Sequence, residues 1–410
     1  MRVDFASNRL NNSERFFSNS ESAPFKTIFT PLIFSIYFAA MLQGVTIVLF
    51  PAASIIFNDP QLFNLSSAAY GGLFIPEVIT AIFASLWSAS KSDTKTVYLY
   101  GIVANIFSMI FLLLSVSAMS YSTATYGLLL FSLGFAGIGY GLTAPSLNIL
   151  ATSFFPKNTN TAILSINALI GLGTALAPLS VIFFITMGIW WGIPLLLLVL
   201  FIMIFLFTLK TMNPENNVAI KLKKIESFPK GIWLFCLFAL LYGIVETVDG
   251  NWTAAYIREN IIDSIALESI TLASFWAMMT AGRVIFGLLN KTFSEYAYQI
   301  FPFAAAVAFS ILSLLPPGHE FLGIILFAIC GMACSILFPL SISFATDSLP
   351  EIKTSIPGIL LGFYLLGYSI TAFGVGLLHD NTSIGLRTIF SLAACMAVVM
   401  GFITKKLLKK

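Results

Sequence analysis

Three acidic residues stand inside long apolar stretches of this sequence: Glu77, Glu246 and Asp249. On insertion scales a carboxylate at the centre of a membrane-crossing stretch costs about 2.5–3.5 kcal/mol, so such a residue needs a task or a partner. The chemistry open to a carboxyl group there is to hydrogen-bond a polar molecule or to bind and release a proton. Glu246 and Glu77 are therefore our candidates for proton binding.

Four polar residues of one stretch follow the spacing i, i+4, i+7 and i+11, which places them on one helix face: Tyr242, Glu246, Asp249 and Thr253. The Asp-Gly-Asn sequence at 249–251 interrupts the apolar run and predicts a break or a kink near Gly250. Two interpretations of Glu246 stay open, a chemical role and a structural hydrogen bond to a neighbouring helix. Asp249 either shares the chemical role or reaches water.

Arg283 is a further charged residue within an apolar stretch. Its long side chain either extends to the membrane surface or pairs with an acid, for which Asp347 is the candidate. Glu77 likewise has two interpretations, a latch between parts of the protein and a protonatable switch. Because an unpaired charge at this depth is costly, we expect Arg283 and Asp347 to hold one side of the protein together.

The sequence contains no motif of soluble enzyme chemistry. It has no Gly-x-x-x-x-Gly-Lys-Ser/Thr phosphate loop, no His-Glu-x-x-His and no Gly-x-Ser-x-Gly, so we predict no enzymatic activity and no ATP-driven pump. Cys330 and Cys334 are four residues apart, but no further ligands accompany them at metal-binding spacing. We expect neither a metal nor a cofactor.

The composition sets the class of the protein. Of the 410 residues, 58% are hydrophobic and 10% are charged, against about 45–50% and 25% in soluble domains. The mean hydropathy is +0.94, and the net charge of +3 is too small to indicate a nucleic-acid partner. The chain is predicted to be an all-α integral membrane protein.

Twelve apolar stretches are long enough to cross a bilayer, which takes about 20 residues per helix. We number them spans 1 to 12. Their predicted ranges are 27–57, 66–88, 97–118, 123–152, 160–186, 188–209, 231–257, 267–289, 297–315, 321–346, 355–378 and 385–404.

The positive charges orient these spans. All of the 21 lysines and arginines except Arg258, Arg283 and Arg387 fall on the side of the two termini. This asymmetry predicts that both termini are cytoplasmic in a plasma membrane protein. The predicted organisation is a cytoplasmic tail (1–26), a six-helix half (27–209), a cytoplasmic loop (210–230), a second six-helix half (231–404) and a basic cytoplasmic tail (405–410).

The two halves repeat each other. Glycines and prolines coincide at a separation of 194 residues in four pairs: Gly137 and Gly331, Pro145 and Pro339, Pro156 and Pro350, Gly173 and Gly367. Spans 4 and 5 therefore correspond to spans 10 and 11, with the same orientation in the membrane. Such parallel six-helix repeats are one of the arrangements of secondary transporters.

With its six-plus-six layout, basic central loop and internal repeat, the chain resembles the major facilitator superfamily over 27–404. Span 7, with Glu246, Trp252 and Tyr256, is similar to the fucose and glucose–galactose:proton symporter branch, and the Gly282-Arg283 pair in span 8 is like that of many superfamily members. In spans 1 and 4, where that branch carries carboxylates, the polar residues here are Gln43 and Asn148.

The resemblance implies secondary active transport of a solute by alternating access, with spans 1, 4, 7 and 10 facing a central cavity. Glu246 and Glu77 would then couple proton movement to transport, and Arg283 and Asp347 would be gating residues. Amides, hydroxyls and an aromatic ring suit a small polar solute, and with no lysine or arginine expected in the cavity, an anionic solute is disfavoured. The predicted solute-binding residues are Gln43, Thr46, Asn148, Glu246, Asp249, Asn251, Trp252, Ser341 and Ser343.

Other functions stay open beside proton symport. One is proton-coupled export of amphiphilic or cationic compounds, in which Glu246 and Asp249 would attract the cation. The other is a membrane receptor or scaffold that binds a solute without moving it. In each case we expect a monomer in the lipid bilayer.

Overall fold

The computed structural model describes residues 31–89, 91, 93–119, 122–155, 159–211, 229–262, 264–287, 291–352 and 355–408. In this part of the chain all regular secondary structure is helical. The predicted tail 1–26, most of the loop 210–230 and the last two residues of 405–410 lie outside the described residues.

Twelve helices in the described part are long and apolar enough to cross a membrane, which confirms the predicted architecture. A helix suits this environment because it satisfies its own backbone hydrogen bonds without water. The first half comprises span 1 (Pro31–Phe57), span 2 (Ser67–Ser88), span 3 (Thr94–Ser117), span 4 (Ser122–Phe154), span 5 (Ala162–Thr186) and span 6 (Gly192–Thr211). The second half comprises span 7 (Ile232–Asn260), span 8 (Ile265–Phe286), span 9 (Phe293–Leu314), span 10 (Glu320–Ser348), span 11 (Ile356–Asn381) and span 12 (Leu386–Leu408).

The glycines of the internal repeat lie at equivalent helix crossings. A Cβ atom at Gly137 of span 4 would overlap the Glu77 carbonyl oxygen of span 2, and one at Gly331 of span 10 would overlap the Phe275 carbonyl oxygen of span 8. Only glycine lets backbones approach this closely, as is typical of helix packing in membranes. The repeat seen in the sequence is thus a repeat of the packing.

The second glycine pair behaves in the same way. A Cβ atom at Gly173 of span 5 would overlap the Met41 carbonyl oxygen of span 1, and one at Gly367 of span 11 would overlap the Leu240 carbonyl oxygen of span 7. Spans 1 and 5 therefore cross as spans 7 and 11 do. The helices in the cores of the two halves therefore cross in the same arrangement.

The helix break lies in span 10, and the prediction of a break at Gly250 in span 7 is wrong. Span 7 is one continuous α-helix, Ile232–Asn260, whereas span 10 consists of two helices, Glu320–Cys334 and Leu337–Ser348. Glycine only weakens a helix, by about 1 kcal/mol. Pro339 has no N–H to donate to the carbonyl four residues earlier, and its ring clashes with that carbonyl, which accounts for an interruption at Ser335 and Ile336.

The two ends of the bundle differ in how tightly the halves meet. We call the end with Pro31 and Leu408 the tail face and the opposite end the far face. At the far face, the start of span 2 packs against the end of span 11: the Asp380 carboxylate accepts the Ala68 N–H at 2.7 Å, and Ser67 Oγ lies 3.2 Å from His379 Nδ1.

Glycine again permits the close approach at the far face. A Cβ atom at Gly376 of span 11 would overlap the Ser67 carbonyl oxygen of span 2. Toward the tail face, no packing of this extent joins span 4 to span 10 or span 11 in the described part of the chain. The halves also pack along spans 5 and 8, where a Cβ atom at Gly171 would overlap the Thr280 side chain. In the described part of the chain, spans 2 and 11 therefore close the far face, whereas spans 4, 10 and 11 do not close the tail face.

We expect Gly376→Leu to prevent this closure, because the side chain would occupy the position of the Ser67 backbone. Spin labels at Gln61 and Ser383, on the far-face connections of the two halves, should then move apart in a pulsed electron paramagnetic resonance measurement. Gly374→Leu is the matched control, since a Cβ atom at Gly374 meets nothing within 4 Å. Equal distances in both variants would show that the glycine contact does not set the closure.

Candidate functional site

Glu246 lies midway along span 7 and is 4% exposed. Its carboxyl group is within hydrogen-bonding reach of the hydroxyls of Tyr242, one turn earlier, and of Tyr364 in span 11. The Arg283 guanidinium of span 8 attracts it electrostatically. The buried acid is thus surrounded by donors from three helices.

Arg283 points to the middle of the protein and does not extend to the membrane surface. Its Nε donates to the Ser335 carbonyl oxygen at 3.4 Å, and a terminal nitrogen lies 3.2 Å from the Met279 sulfur. The Ser335 carbonyl is available because Pro339, four residues later, has no N–H. In the described part of the chain, Arg283 contacts Ser335 and Met279, and Glu246 acts on it electrostatically without an ion pair between them. Pairing of Arg283 with an acid therefore stays a prediction.

The first half contributes a tyrosine and a second acid. Tyr140 of span 4 lies within electrostatic range of Arg283, Glu246 and Glu77. Glu77 of span 2 is half-buried, and one of its carboxylate oxygens has no hydrogen-bond partner. The two candidate proton-binding groups therefore both lie within electrostatic range of one tyrosine. We call Tyr140, Tyr242, Glu246, Arg283 and Tyr364 the central cluster.

Aromatic side chains close the site on the side of the far face. Trp252 of span 7 packs edge-on against Tyr70 of span 2, with ring centroids 5.7 Å apart. Phe74 packs against Tyr70 at 5.3 Å and against Tyr368 of span 11 at 6.1 Å. The Asn251 amide donates to the Tyr368 hydroxyl at 3.2 Å. Two predicted solute-binding residues, Asn251 and Trp252, therefore adjoin the central cluster.

Gln43 is buried inside the first half. Its Oε1 accepts hydrogen bonds from the Asn105 amide at 2.8 Å and from the Thr143 hydroxyl at 2.7 Å, which ties span 1 to spans 3 and 4. Thr46 is also buried and donates to the Leu42 carbonyl of its own helix. In this conformation both predicted solute-binding residues are engaged in contacts within their own half.

Asp249 and Ser341 are buried inside the second half. The Asp249 carboxyl is fully buried, with the Cys330 thiol of span 10 as its neighbour. The structure thus places Asp249 away from water, contrary to the interpretation in which it reaches water. Ser341 is likewise fully buried and faces the Tyr298 hydroxyl of span 9.

The remaining predicted residues lie nearer the tail face. The Asn148 amide donates to the Ala144 carbonyl at 3.0 Å and lies 3.5 Å from the Asn167 amide of span 5. Ser343 and Asp347 are exposed on span 10. Pairing of Asp347 with Arg283 belongs to a state closed at the tail face, so it stays a prediction.

The sequence reasoning missed the tyrosines. Tyr140, Tyr364 and Tyr368 join the two acids at the junction of the halves, and the Phe338 ring stacks on Tyr242 at 5.7 Å. The spacing of Tyr364 and Tyr368, one helical turn apart in span 11, was an available signal. An uncharged aromatic residue in an apolar stretch is too common to be singled out without its neighbours.

The profile of the Major Facilitator Superfamily matches residues 32–370. The inner membrane transport protein YdiN of Escherichia coli is 23% identical over 410 residues, which cover 94% of this chain and 92% of that protein. The glucose/mannose transporter GlcP of Bacillus subtilis is 24% identical over 299 residues, which cover 66% of this chain and 70% of GlcP.

Two solved structures support the same fold. The fucose:proton symporter FucP of Escherichia coli superposes with a TM-score of 0.59 at 16% identity, over 92% of this chain and 98% of FucP. The nucleoside transporter NupG superposes with a TM-score of 0.70 at 16% identity, over 92% of this chain and 99% of NupG. At these identities the likeness is one of fold.

We expect Gln43→Leu to destabilise the protein by about 1–3 kcal/mol, because the Asn105 amide loses a buried acceptor, whereas the Thr143 hydroxyl can still donate to the Gly139 carbonyl oxygen. The melting temperature of the purified protein in detergent should fall. Thr46→Val, three residues along the same helix, is the control and should change it little, since the Thr46 hydroxyl bonds only its own helix. Unchanged stability in Gln43→Leu with weaker solute binding would make Gln43 a solute ligand instead.

Proposed function

The chain belongs to the major facilitator superfamily of membrane transporters, and from this premise we propose that it moves a small polar organic solute by alternating access, in symport with protons. The observation that carries the proposal is the position of Glu246. It is a buried carboxyl group at mid-depth, beside a guanidinium and three tyrosines, where the two halves of the transporter meet.

The surroundings of Glu246 favour a neutral polyhydroxylated solute. Tyrosine hydroxyls and the Asn251 amide offer hydrogen bonds, and the half-buried rings of Tyr364 and Tyr368 offer flat faces for a sugar-like ring. The Arg283 guanidinium contacts Ser335 and Met279 and is attracted by Glu246, so it does not stand alone as a clamp for an anion. GlcP, described as a glucose/mannose transporter, has a solute of this class.

The distribution of lysine and arginine supports a cytoplasmic tail face in a plasma membrane. The far face then lies outside, and the described conformation is closed to the outside and open to the cytoplasm. Proton binding at Glu246, with Glu77 as the second candidate, would accompany solute binding. Arg283 and Asp347 would close the tail face in the opposite state, and we propose that the protein acts as a monomer in the bilayer.

A second function has one observation in its favour. Glu77 and Glu246 both act electrostatically on Tyr140, and Arg283 is the basic residue that acts on it. When both acids are ionised, the site carries a net negative charge and aromatic rings, which suits an amphiphilic cation. Proton-coupled export of such compounds is therefore the alternative.

Transport into proteoliposomes tests the proposal. A library of sugars, nucleosides and organic cations is first screened for an increase in the melting temperature of the purified protein, and each hit is then offered to proteoliposomes with an imposed pH gradient. Accumulation of a neutral solute along with the protons is the expected result. Proton-driven movement of a cation in the opposite direction would favour export, and binding with no movement would indicate a receptor or scaffold.

The proposed orientation predicts which residues an impermeant thiol reagent reaches in intact cells. Single cysteines at Ser20 and Asn217, which lie outside the described residues, should resist the reagent, whereas one at Ser264, between spans 7 and 8 on the far face, should react. Labelling of the cysteine at position 217 from outside would reverse the orientation.

We expect Glu246→Gln to abolish proton-driven accumulation while solute exchange between the two sides continues. The amide keeps the size and hydrogen bonding of the carboxyl group but cannot bind and release the coupled proton. Radiolabelled solute in proteoliposomes measures both activities. If Glu246 binds the solute alone, affinity falls and the remaining transport stays coupled.

Two acids at similar depth serve as comparisons. Asp249→Asn should keep the coupling, because this carboxyl lies against Cys330 inside the second half, and any loss of affinity would support its predicted contact with the solute. Wild-type accumulation in Glu246→Gln together with its loss in Glu77→Gln would move the proton site to span 2.

A further inference from the structure

The break in span 10 leaves two backbone carbonyls without their usual helical partners. The first helix of the span ends at Cys334, and Pro339 removes the N–H that would have bonded the Ser335 carbonyl. The second helix resumes with the Leu340 N–H bonded to the Ile336 carbonyl at 2.9 Å. At this depth no bulk water takes up a freed carbonyl, so side chains must.

Two side chains do so. The Tyr242 hydroxyl donates to the Cys334 carbonyl oxygen at 3.1 Å, and Arg283 Nε donates to the Ser335 carbonyl oxygen at 3.4 Å. Both carbonyls lie at the C-terminal end of a helix, which carries partial negative charge and favours a guanidinium nearby. Side chains of spans 7 and 8 thus donate to the carbonyls at the break in span 10.

The same two side chains are the partners of Glu246. The Tyr242 hydroxyl is within hydrogen-bonding reach of its carboxyl group, and Arg283 attracts its negative charge. The titratable and charged groups that act on Glu246 come from five helices. They are Tyr140 of span 4, Tyr242 and Asp249 of span 7, Arg283 of span 8, Cys334 of span 10, and Tyr364 and Tyr368 of span 11.

A phenol hydroxyl has one proton and donates it to one strong acceptor at a time. When Glu246 is protonated, the Tyr242 hydroxyl is free to donate to the Cys334 carbonyl oxygen, which is the hydrogen bond that the structure shows. An ionised Glu246 is the stronger acceptor, because hydrogen bonds to a charged oxygen are about twice as strong as neutral ones. The hydroxyl then turns to Glu246 and releases the carbonyl of span 10.

We propose that Tyr242 and Arg283 are positioning residues that transmit the protonation of Glu246 to the break in span 10. Loss of the proton draws both side chains toward Glu246 and frees the helix Leu337–Ser348 to move at the tail face. The Phe338 ring, stacked on Tyr242 at 5.7 Å and tilted against Tyr364 at 5.2 Å, carries the change into that helix. This inference rests on the proposed role of Glu246 as the proton-binding group.

The test uses the pH dependence of the tail-face opening. Spin labels at Ser153 and Ser348, at the tail-face ends of spans 4 and 10, report the distance between the halves in purified full-length protein over a pH series, with no solute added. Wild-type protein should change distance with pH. Tyr242→Phe, which keeps the ring and its stacking but removes the hydroxyl, should lose this dependence.

The matched control is Tyr298→Phe. Tyr298 is fully buried in the same half and faces Ser341 of span 10, away from Glu246. In this variant the distance between the labels should change with pH as it does in the wild type. A pH dependence in Tyr242→Phe equal to that of the control would overturn the inference.

A second variant changes the break without touching the site. Pro339→Ala restores an N–H four residues after Ser335, so span 10 can close its own hydrogen bond and no longer needs Arg283. The distance between the labels in this variant should also lose its dependence on pH. A wild-type pH dependence in Pro339→Ala would contradict the inference even if Tyr242→Phe fails to fold.

The Glu246→Gln variant separates this inference from the proposed function. If it titrates like the wild type and still accumulates solute, Glu246 is not the coupling acid and the proposed function fails. If Glu246→Gln loses both the pH-dependent distance change and the accumulation of solute, while Tyr242→Phe and Pro339→Ala keep the distance change, Glu246 couples protons by another route. Only the present inference then fails.

Discussion

The absence of water at bilayer depth is the constraint on which the site depends. Each polar group there must find its partner within the protein, because an unsatisfied one costs several kcal/mol. Glu246 lies within reach of the Tyr242 and Tyr364 hydroxyls and is attracted by Arg283, and Arg283 donates to a carbonyl of the broken span 10. The acid, the base and the helix break are therefore linked through shared side chains, so a change of charge at Glu246 acts on the groups that donate to the break.

The fold was predictable because its determinants are local. Apolar stretches give the spans, and the glycines that coincide between the halves mark crossings where no side chain fits, as Gly137 and Gly331 do. A close backbone contact is encoded by one residue type at one position, so a sequence repeat carries over directly into a packing repeat. The family match over residues 32–370 and the superposed transporter structures agree with this architecture.

The site was less predictable because the middle of span 7, from Val245 to Ala254, is buried on all sides. A helical period shows that Glu246 and Asp249 share a face, but it does not say which neighbour each one meets when every face has a neighbour. In the structure Glu246 faces tyrosines and Arg283, whereas Asp249 faces Cys330. The position of the break was missed for a related reason: Gly250 and Pro339 both disturb a helix, and the surrounding donors decide which disturbance becomes an interruption.

The two halves show how those donors decide it. Pro145 of span 4 and Pro339 of span 10 are equivalent in the repeat, yet span 4 is one continuous helix, Ser122–Phe154, and span 10 is broken. The glycine contacts align span 1 with span 7 through Met41 and Leu240, and span 2 with span 8 through Glu77 and Phe275. By this alignment Gln43 corresponds to Tyr242, and Ser85 corresponds to Arg283. Tyr242 and Arg283 donate to carbonyls at the break in span 10, whereas Gln43 accepts a hydrogen bond from the Thr143 hydroxyl of span 4. The break in the second half therefore coincides with donors aimed at span 10, and the continuous helix of the first half coincides with an acceptor at the equivalent position.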